Sequence, residues 1–324
     1  MSRKSDSGPF VSVLTPVFNA EKYLSECIES VLGQTYNNYE YIIVNNGSTD
    51  RTLEIAEGYA QRDSRIRVYD NEKFITGIQN HNRAISKMSR ESKYCKFAQA
   101  DDWLFPECIA HMVKLAEENP TVGLVSSYIL RNNKVACDGL PVQTNIFSGR
   151  AICQLALRKE VLPFGTPTSV LIRSDVIRQY PRFFNETHIH ADREACYEVL
   201  QHHDFGFVHQ ILSFTRLHDD TQTVRIARKH NTEYLEYLGM LKKYGPVFLQ
   251  PEEYWRLQKK ETKGYYRNLA SYLFRRKDKK ILKYHRTRLK ELGFSFRYTR
   301  LAAVAAIMLL DKILRKTHEI LIST

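Results

Sequence analysis

Two adjacent carboxylates, Asp101 and Asp102, follow an apolar run in the sequence and precede Trp103. Carboxylate oxygens are the ligands that Mg²⁺ and Mn²⁺ prefer, and these ions keep coordination positions open for substrate phosphates. At the end of a strand, the pair is therefore suited to hold such an ion. The alternative is a solvated loop in which one Asp caps the next helix, and an Asp-Asp pair taken alone favours that alternative.

The segments that must position this pair alternate between strand and helix patterns. Runs of β-prone residues over 11–17 and 39–44 flank five apolar residues at helical spacing, from Leu24 to Leu32. Asn19 is predicted to be the N-cap of that helix. The later segments are a helix to residue 62, a strand over 66–69, a helix over 80–89, a strand over 94–100, a helix after Pro106 and a strand over 122–130. This alternation predicts an α/β domain with a mostly parallel sheet flanked by helices.

Unusual polar residues follow three of the predicted strands. They are Thr15-Pro16, Asn45-Asn46-Gly47 and Asp101-Asp102. Open α/β sheets bind ligands at the carboxyl ends of their strands, so we expect these residues to surround one ligand site. The sequence contains neither G-x-G-x-x-G nor G-x-x-x-x-G-K-[ST], so it supports neither a dinucleotide fold nor a P-loop.

Four motifs occur in the order and at the spacing of a known enzyme family. They are TPVFN from Thr15, VNNGSTD from Val44, GIQNHN from Gly77 and ADDWL from Ala100. With these motifs, residues 10–220 resemble the family 2 glycosyltransferases, which have the nucleotide-sugar-binding GT-A fold. Downstream, Ala191-Asp192 is similar to the family's Glu-Asp element, and FTRLH, residues 214–218, is similar to its Tyr-Arg-x-His segment.

The resemblance implies an inverting, metal-assisted transfer of a sugar to a glycan or lipid-linked acceptor. The donor would be a nucleoside-diphosphate sugar, with a UDP-sugar favoured. Asp192 would be the general base that takes the proton of the acceptor hydroxyl, and Asp102 and His218 would hold Mn²⁺ or Mg²⁺. The residues implied to bind the nucleotide sugar are Thr15, Pro16, Asn19, Glu21, Asn46, Asn82, Asp101 and Arg216.

Three positions depart from the usual residues of the family. Asn46 replaces an Asp, Gln99 replaces the first Asp of Asp-x-Asp-Asp, and His81 replaces an Arg. An Asn amide still accepts a hydrogen bond from a ring N–H, so Asn46 puts the uracil preference in question but not nucleotide binding. The departures motivate a rival hypothesis, a nucleotide- or glycan-binding pseudoenzyme of the same fold. A second rival, a sugar nucleotidyltransferase, would need a Gly-rich, basic N-terminal loop that the sequence lacks.

Two of the implied site elements also have a purely structural interpretation. Thr15-Pro16 would then end an edge strand, where a missing N–H costs nothing. Asp192 would then cap the helix that runs towards His202.

The basic charge of the chain lies in its last hundred residues. The net charge is +12, whereas residues 225–324 alone contain 24 Lys and Arg against 9 Asp and Glu, a balance of +15. Within them, ten apolar residues from Leu301 to Leu310 lie between cationic flanks. Ten helical residues span about 15 Å of a bilayer core about 30 Å thick, so this segment is too short to cross a membrane. It is suited instead to an anionic membrane surface.

The basic segment has two alternatives to the membrane surface. A helix docked on the catalytic domain is an equal alternative to the membrane surface. The aromatic and basic composition also fits single-stranded nucleic acid, but no nucleic-acid-binding motif accompanies it, so that partner is not favoured. We therefore predict a GT-A-like catalytic domain over residues 8–222 and a basic, α-helical extension over residues 223–324.

Cysteine usage and the first residues indicate the compartment. Six cysteines lie far apart without metal-binding spacing, and the first nine residues contain no apolar signal core. Both features are typical of a reduced, cytosolic protein. The predicted location is the cytoplasm, with peripheral attachment to the inner face of the plasma membrane.

Overall fold

The computed structural model describes residues 8–187, 190–217, 230–276 and 280–323, which form two compact units that divide after Leu217. The predicted domain boundary between residues 222 and 223 lies outside the described residues, so the assignment of domains stays a prediction. The two units are described separately.

A ten-stranded sheet forms the centre of the first unit. Its spatial order is β3-β2-β1-β4-β9-β6-β10-β5, with β7 paired to β6 and β8 paired to β10. The strands are β1 Val11–Val17, β2 Tyr39–Asn45, β3 Ile66–Asp70, β4 Tyr94–Phe97, β5 Trp103–Leu104, β6 Val122–Arg131, β7 Lys134–Ala136, β8 Ile146–Phe147, β9 Leu171–Arg173 and β10 Asp204–Thr215.

Four of the strands that were expected from the sequence pair with one another in parallel. Strand β1 pairs with β2 and β4, and β2 pairs with β3. The long strand β6 pairs in parallel with β10. The short strands β5, β7, β8 and β9 pair antiparallel to their neighbours. The predicted α/β class and the sheet flanked by helices are confirmed, and the short strands add the antiparallel pairs.

Seven α-helices and one 3₁₀ turn accompany this sheet within the described part of the first unit. They are α1 Leu24–Leu32, α2 Thr52–Ala60, α3 Gly77–Ile85, α4 Cys108–Glu118, α5 Gly149–Arg158, the 3₁₀ turn Pro167–Ser169, α6 Ser174–Ile177 and α7 Ala191–Leu200. The predicted apolar face of α1 is confirmed, because Leu24, Cys27, Ile28 and Val31 are buried in the core. Helix α3 begins at Gly77, earlier than predicted, because Thr76 and Gln79 form a capping box.

Two local predictions near the start of the chain are wrong. Asn19 is not the N-cap of α1, which begins at Leu24 after Tyr23. Asn19 adopts a left-handed conformation with φ 48°, and its Oδ1 accepts a hydrogen bond from the Thr49 N–H at 2.8 Å. The amide therefore joins two loops rather than starting a helix. The edge-strand interpretation of Thr15-Pro16 is also wrong, because β1 lies between β2 and β4.

The second unit, called here the C-terminal unit, is helical as predicted. Its helices are α8 Glu233–Phe248, α9 Pro251–Arg276, α10 Lys280–Glu291 and α11 Tyr298–Ser323. Side chains from all four helices share one core, including Leu235, Leu269, Leu289 and Leu301. None of the helices in the described ranges is long and apolar enough to cross a membrane.

Candidate functional site

The Asp102 carboxylate lies between two donors that come from distant parts of the chain. Asp102 follows β4 and precedes β5, and only 3% of it is exposed. Its Oδ2 accepts a hydrogen bond from the Thr168 hydroxyl at 2.6 Å, and its Oδ1 accepts one from the Arg216 N–H at 3.0 Å. The 3₁₀ turn and the end of β10 therefore fix the plane of this carboxylate.

Burial, followed by repulsion from the neighbouring Asp101 carboxylate, raises the pKa of Asp102 to about 7. The hydrogen bonds from Thr168, Arg216 and Thr215 act against these two effects but do not cancel them. A divalent cation would lower the free energy of the ionised form, because it offsets both the lost hydration and the repulsion between the two carboxylates.

The donor set fits a metal ion that is shared with a substrate. Among the residues that the structure describes, no group of three or more His, Cys, Asp or Glu side chains is arranged to hold a metal. His218, the second predicted ligand, lies outside them. Mg²⁺ and Mn²⁺ commonly use one or two carboxylates together with substrate phosphates. Asp101, which is partly exposed, and Asp102 are suited to such a site.

The Arg216 side chain contacts the segment that contains Asp101 and Asp102. Its guanidinium Nη2 lies 2.5 Å from a Glu26 carboxylate oxygen, and its Nε donates to the Asp101 carbonyl at 3.2 Å. The guanidinium also lies over the rings of Tyr23 and Trp103, 4.5 and 5.3 Å from their centroids. The structure thus brings Arg216 to the carboxylate pair and ties it there to α1.

Asn46 holds the loop that follows β3. Its Oδ1 accepts from the Ile75 N–H at 3.0 Å, and its Nδ2 donates to the Ile75 carbonyl at 2.7 Å. The Asn71 amide also donates to Asn46 Oδ1, at 3.1 Å. An Asp at position 46 would lack the donor that the Ile75 carbonyl requires. The following Gly47 has φ 67°, a conformation that its missing side chain permits.

Thr15 and Pro16 lie inside the sheet. The Thr15 hydroxyl donates to the Ala98 carbonyl at 2.6 Å and lies 2.9 Å from the Tyr41 hydroxyl, and Thr15 is completely buried. Pro16 is also buried and pairs with Val44 of β2. These contacts show that the Thr15 side chain stabilises the strand end, so a ligand at this edge would meet backbone rather than the hydroxyl.

Glu21 and Asn82 make contacts of the same kind as Asn46, because each binds the backbone of another segment. Glu21 Oε2 accepts from the Arg51 N–H at 3.0 Å. Asn82 Oδ1 accepts from the Phe184 N–H at 2.9 Å, and its Nδ2 donates to the Phe184 carbonyl at 2.8 Å. Both side chains therefore shape the loops around the strand ends.

Asp192, the predicted base, is the second residue of α7 and is partly exposed. His190 occupies the N-cap, so the interpretation of Asp192 as the cap is wrong. Asp192 lines a small, mostly apolar cavity together with residues that include Phe97, Pro167 and Phe184. Pro167 precedes Thr168, which binds Asp102. Within the 3₁₀ turn, Pro167 therefore lines the same cavity as the candidate base, and Thr168 binds the candidate metal ligand.

Two of the departures from the family pattern contact each other. His81 Nδ1 lies 2.7 Å from the Gly77 carbonyl, so this nitrogen carries the proton. His81 Nε2 then accepts from the Gln99 amide, at a distance of 2.7 Å. Burial lowers the pKa of His81, which favours the neutral ring that this pairing needs. The pair joins α3 to the chain after β4 without charge.

Two residues near the carboxylate pair were not predicted from the sequence. Thr168 binds Asp102 directly, and Glu26 binds Arg216. Thr168 lies far from the carboxylates in sequence and carries no motif. Lys96, which is completely buried in β4, was not predicted either. A lysine within the otherwise apolar run before Asp101 is unusual for a central strand, and that was the available signal.

A family model and curated proteins match the chain. The model described as glycosyl transferase family 2 matches residues 12–181. A protein of Haemophilus influenzae named as an uncharacterized glycosyltransferase is 29% identical over 251 residues, which cover 72% of this chain and 76% of that protein. One of Rickettsia typhi with the same description is 28% identical over 244 residues, which cover 74% of each.

Solved structures share the fold. TarS 1–349 of S. aureus, in complex with UDP-GlcNAc, matches with a TM-score of 0.62 and 14% identity over 88% of this chain and 80% of that one. The mannosyltransferase PcManGT from Pyrobaculum calidifontis, in complex with GDP-Man and Mn²⁺, matches with a TM-score of 0.57 and 14% identity over 94% and 88% of the two chains. At these identities the likeness establishes the fold, which is of the GT-A type.

The raised pKa of Asp102 predicts how stability depends on pH. The folded state keeps a proton on Asp102 up to a pH of about 7, whereas an unfolded Asp releases it near a pH of about 4. The metal-free protein should therefore lose stability as the pH rises from about 4 to about 7.

Asp102→Asn should remove the part of this loss of stability that comes from Asp102. The measurement is the melting temperature between pH 5 and pH 8 with chelator, and Asp138→Asn, at an exposed position, should behave like the wild type. Parallel profiles for the wild type and Asp102→Asn would contradict the assignment.

Proposed function

Because residues 12–181 match the family model, the chain belongs to glycosyltransferase family 2, and we propose that it transfers a sugar from a nucleoside-diphosphate sugar to an acceptor hydroxyl. The observation that carries the proposal is the Asp101-Asp102 pair at the strand ends, with Asp102 buried and its pKa raised. A UDP-sugar is the favoured donor, and a glycan or lipid-linked molecule is the proposed acceptor. The complexes of TarS with UDP-GlcNAc and of PcManGT with GDP-Man support a nucleotide sugar on this fold.

The metal would be held by Asp102 together with the donor diphosphate and His218, which lies outside the described residues, and the adjacent Asp101 would contact the nucleotide sugar. When bound, Mn²⁺ or Mg²⁺ supplies positive charge that stabilises the departing nucleoside diphosphate. The chain's own contribution is the orientation of Asp102 by Thr168 and by the Arg216 N–H. The Mn²⁺ in the PcManGT complex supports the use of a divalent metal on this fold.

Asp192 is proposed as the general base of an inverting transfer. Its carboxylate is partly exposed at the start of α7, and it shares the 3₁₀ turn with the Asp102 site. A carboxylate on the acceptor side, opposite the leaving diphosphate, can take the hydroxyl proton as the new glycosidic bond forms. Inversion follows when the hydroxyl attacks from the face opposite the diphosphate.

The first test of this function is donor binding. We expect the wild-type chain to bind at least one member of a panel of UDP- and GDP-sugars, more tightly with Mn²⁺ than with chelator. Asp102→Ala should remove the effect of Mn²⁺, because the ion loses its buried ligand, while Asp138→Ala should keep it. Calorimetric titration measures both affinities. An unchanged dependence on Mn²⁺ in Asp102→Ala would refute the metal assignment.

The second test concerns Asp192. Asp192→Asn should keep donor affinity and lower turnover by about 10²–10⁴-fold, because the amide cannot accept the proton. Glu198→Gln, on the same helix, should turn over normally. The rate of nucleoside diphosphate release and the donor affinity are measured on the same samples. Loss of donor affinity or of folding in Asp192→Asn would instead indicate a structural role.

Peripheral attachment to an anionic membrane is proposed for the C-terminal unit. Leu301, Val304 and Met308 of α11 pack against the core of this unit. Other apolar side chains of the same helix are exposed, namely Ile307, Leu309, Leu310 and Leu314. The balance of +15 over residues 225–324 supplies the attraction to anionic lipids, at about 1 kcal/mol for each basic residue near the surface.

We predict that exposed leucines of α11 insert into the membrane. Leu310→Glu combined with Leu314→Glu should weaken co-sedimentation with vesicles rich in anionic lipid, because carboxylates replace apolar insertion. Val142→Glu, which changes an exposed apolar residue of the first unit, should pellet like the wild type. Salt should weaken binding in part, since it screens only the charges. Equal pelleting of all variants would contradict the proposal, and a lowered melting temperature of the double variant would favour a helix packed on protein.

A further inference from the structure

Lys96 is a buried lysine in the middle of the sheet. It belongs to β4, which lies between β1 and β9, and it is completely buried. Its Nζ donates to the carbonyl of Thr168 and lies 3.4 Å from the carbonyl of Val170. No ion pair is found for it among the described residues. A lysine is almost never buried unless its polar head is bound, and here backbone carbonyls of one segment bind it.

That segment is the 3₁₀ turn Pro167–Ser169, which is short and lies between α5 and β9. Within it, the Ser169 hydroxyl donates to the Thr166 carbonyl at 2.8 Å and accepts from the Gly165 N–H at 3.1 Å. These bonds close the turn on itself. Lys96 attaches the turn to the sheet. Its Nζ extends from the central strand β4 to the carbonyls of Thr168 and Val170, which flank Ser169.

The direction of the Thr168 hydroxyl is determined by its two partners. The Gln99 N–H donates to Thr168 Oγ1 at 3.1 Å, so this N–H uses one acceptor site of the hydroxyl oxygen. The hydroxyl proton is then donated to Asp102 Oδ2, at 2.6 Å. A short O–H···O⁻ bond of this kind both orients a carboxylate and favours its ionised form. Thr168 is completely buried, so water does not compete for this bond.

We infer that Lys96 and Thr168 are positioning residues, which hold Asp102 in the orientation that the metal-bound donor diphosphate requires. Lys96 fixes the turn, the turn places the Thr168 hydroxyl, and the hydroxyl orients the carboxylate. The inference rests on the proposed function, because it assigns these residues to the nucleotide-sugar site. Neither residue touches the substrate in this account.

The test is Mn²⁺ binding by the full-length protein in the presence of UDP, measured from the electron paramagnetic resonance signal of free Mn²⁺. Thr168→Val keeps the shape of the side chain and removes the donor. It should weaken Mn²⁺ binding about 10–100-fold, the usual loss when a residue that supports a ligand is changed. Thr168→Ser restores the hydroxyl and should stay within about threefold of the wild type. Lys96→Met keeps the length of the side chain without the Nζ donor and should weaken Mn²⁺ binding in the same direction as Thr168→Val.

Affinity for UDP with chelator and the melting temperature are measured on the same variants. The inference expects UDP affinity without metal to stay near the wild-type value in Thr168→Val. Equal Mn²⁺ affinity in Thr168→Val and Thr168→Ser would overturn it, as would a loss of UDP affinity in Thr168→Val that is the same with and without metal. A wild-type protein that binds no nucleotide in either condition would overturn the proposed function, and the inference with it.

Discussion

Burial of the Asp102 carboxylate is the constraint on which the rest of the site depends. A buried carboxylate costs free energy unless hydrogen bonds or a cation compensate for its lost hydration. The chain supplies hydrogen bonds from the 3₁₀ turn and from the end of β10, residues that lie 66 and 114 positions away in sequence. The sheet brings these donors together only because β4, β9, β6 and β10 lie side by side. The raised pKa shows that compensation is incomplete, and a bound cation would complete it.

The departures from the family pattern are consistent with one another in the structure. His81 and Gln99 form one neutral hydrogen-bonded pair, where the family usually has oppositely charged residues. Asn46 binds both polar groups of one peptide unit, at Ile75, which a carboxylate could not do. Each replacement thus has a structural partner of its own. These partners show how the loops around the carboxylates keep their hydrogen bonds without the charges that are usual in the family.

The sequence predicted the parts of the molecule that follow local rules. Runs of β-prone residues predicted the strands around Val13 and Ile42, which are buried on both faces. Helical spacing predicted the buried face of α1. Both patterns depend only on residues that are close together in the chain. Asn19 was misplaced because its amide binds Thr49, a partner that no local rule identifies. Thr168 and Lys96 were missed for the same reason, since their importance arises from contacts across the sheet. The sequence pattern did not predict the short antiparallel strands, because two- or three-residue pairings have almost no pattern of their own.

The most direct test of the account is the phosphorus-containing product of turnover. The wild-type chain is incubated with UDP- and GDP-sugars and Mn²⁺, and the reaction is followed by ³¹P nuclear magnetic resonance. The account predicts that the nucleoside diphosphate accumulates with time from at least one donor and that chelator stops its release, because the ion compensates the charge of the departing diphosphate beside Asp102. Release of pyrophosphate would contradict it in favour of a nucleotidyltransferase, and donor binding without any release would contradict it in favour of a binding protein.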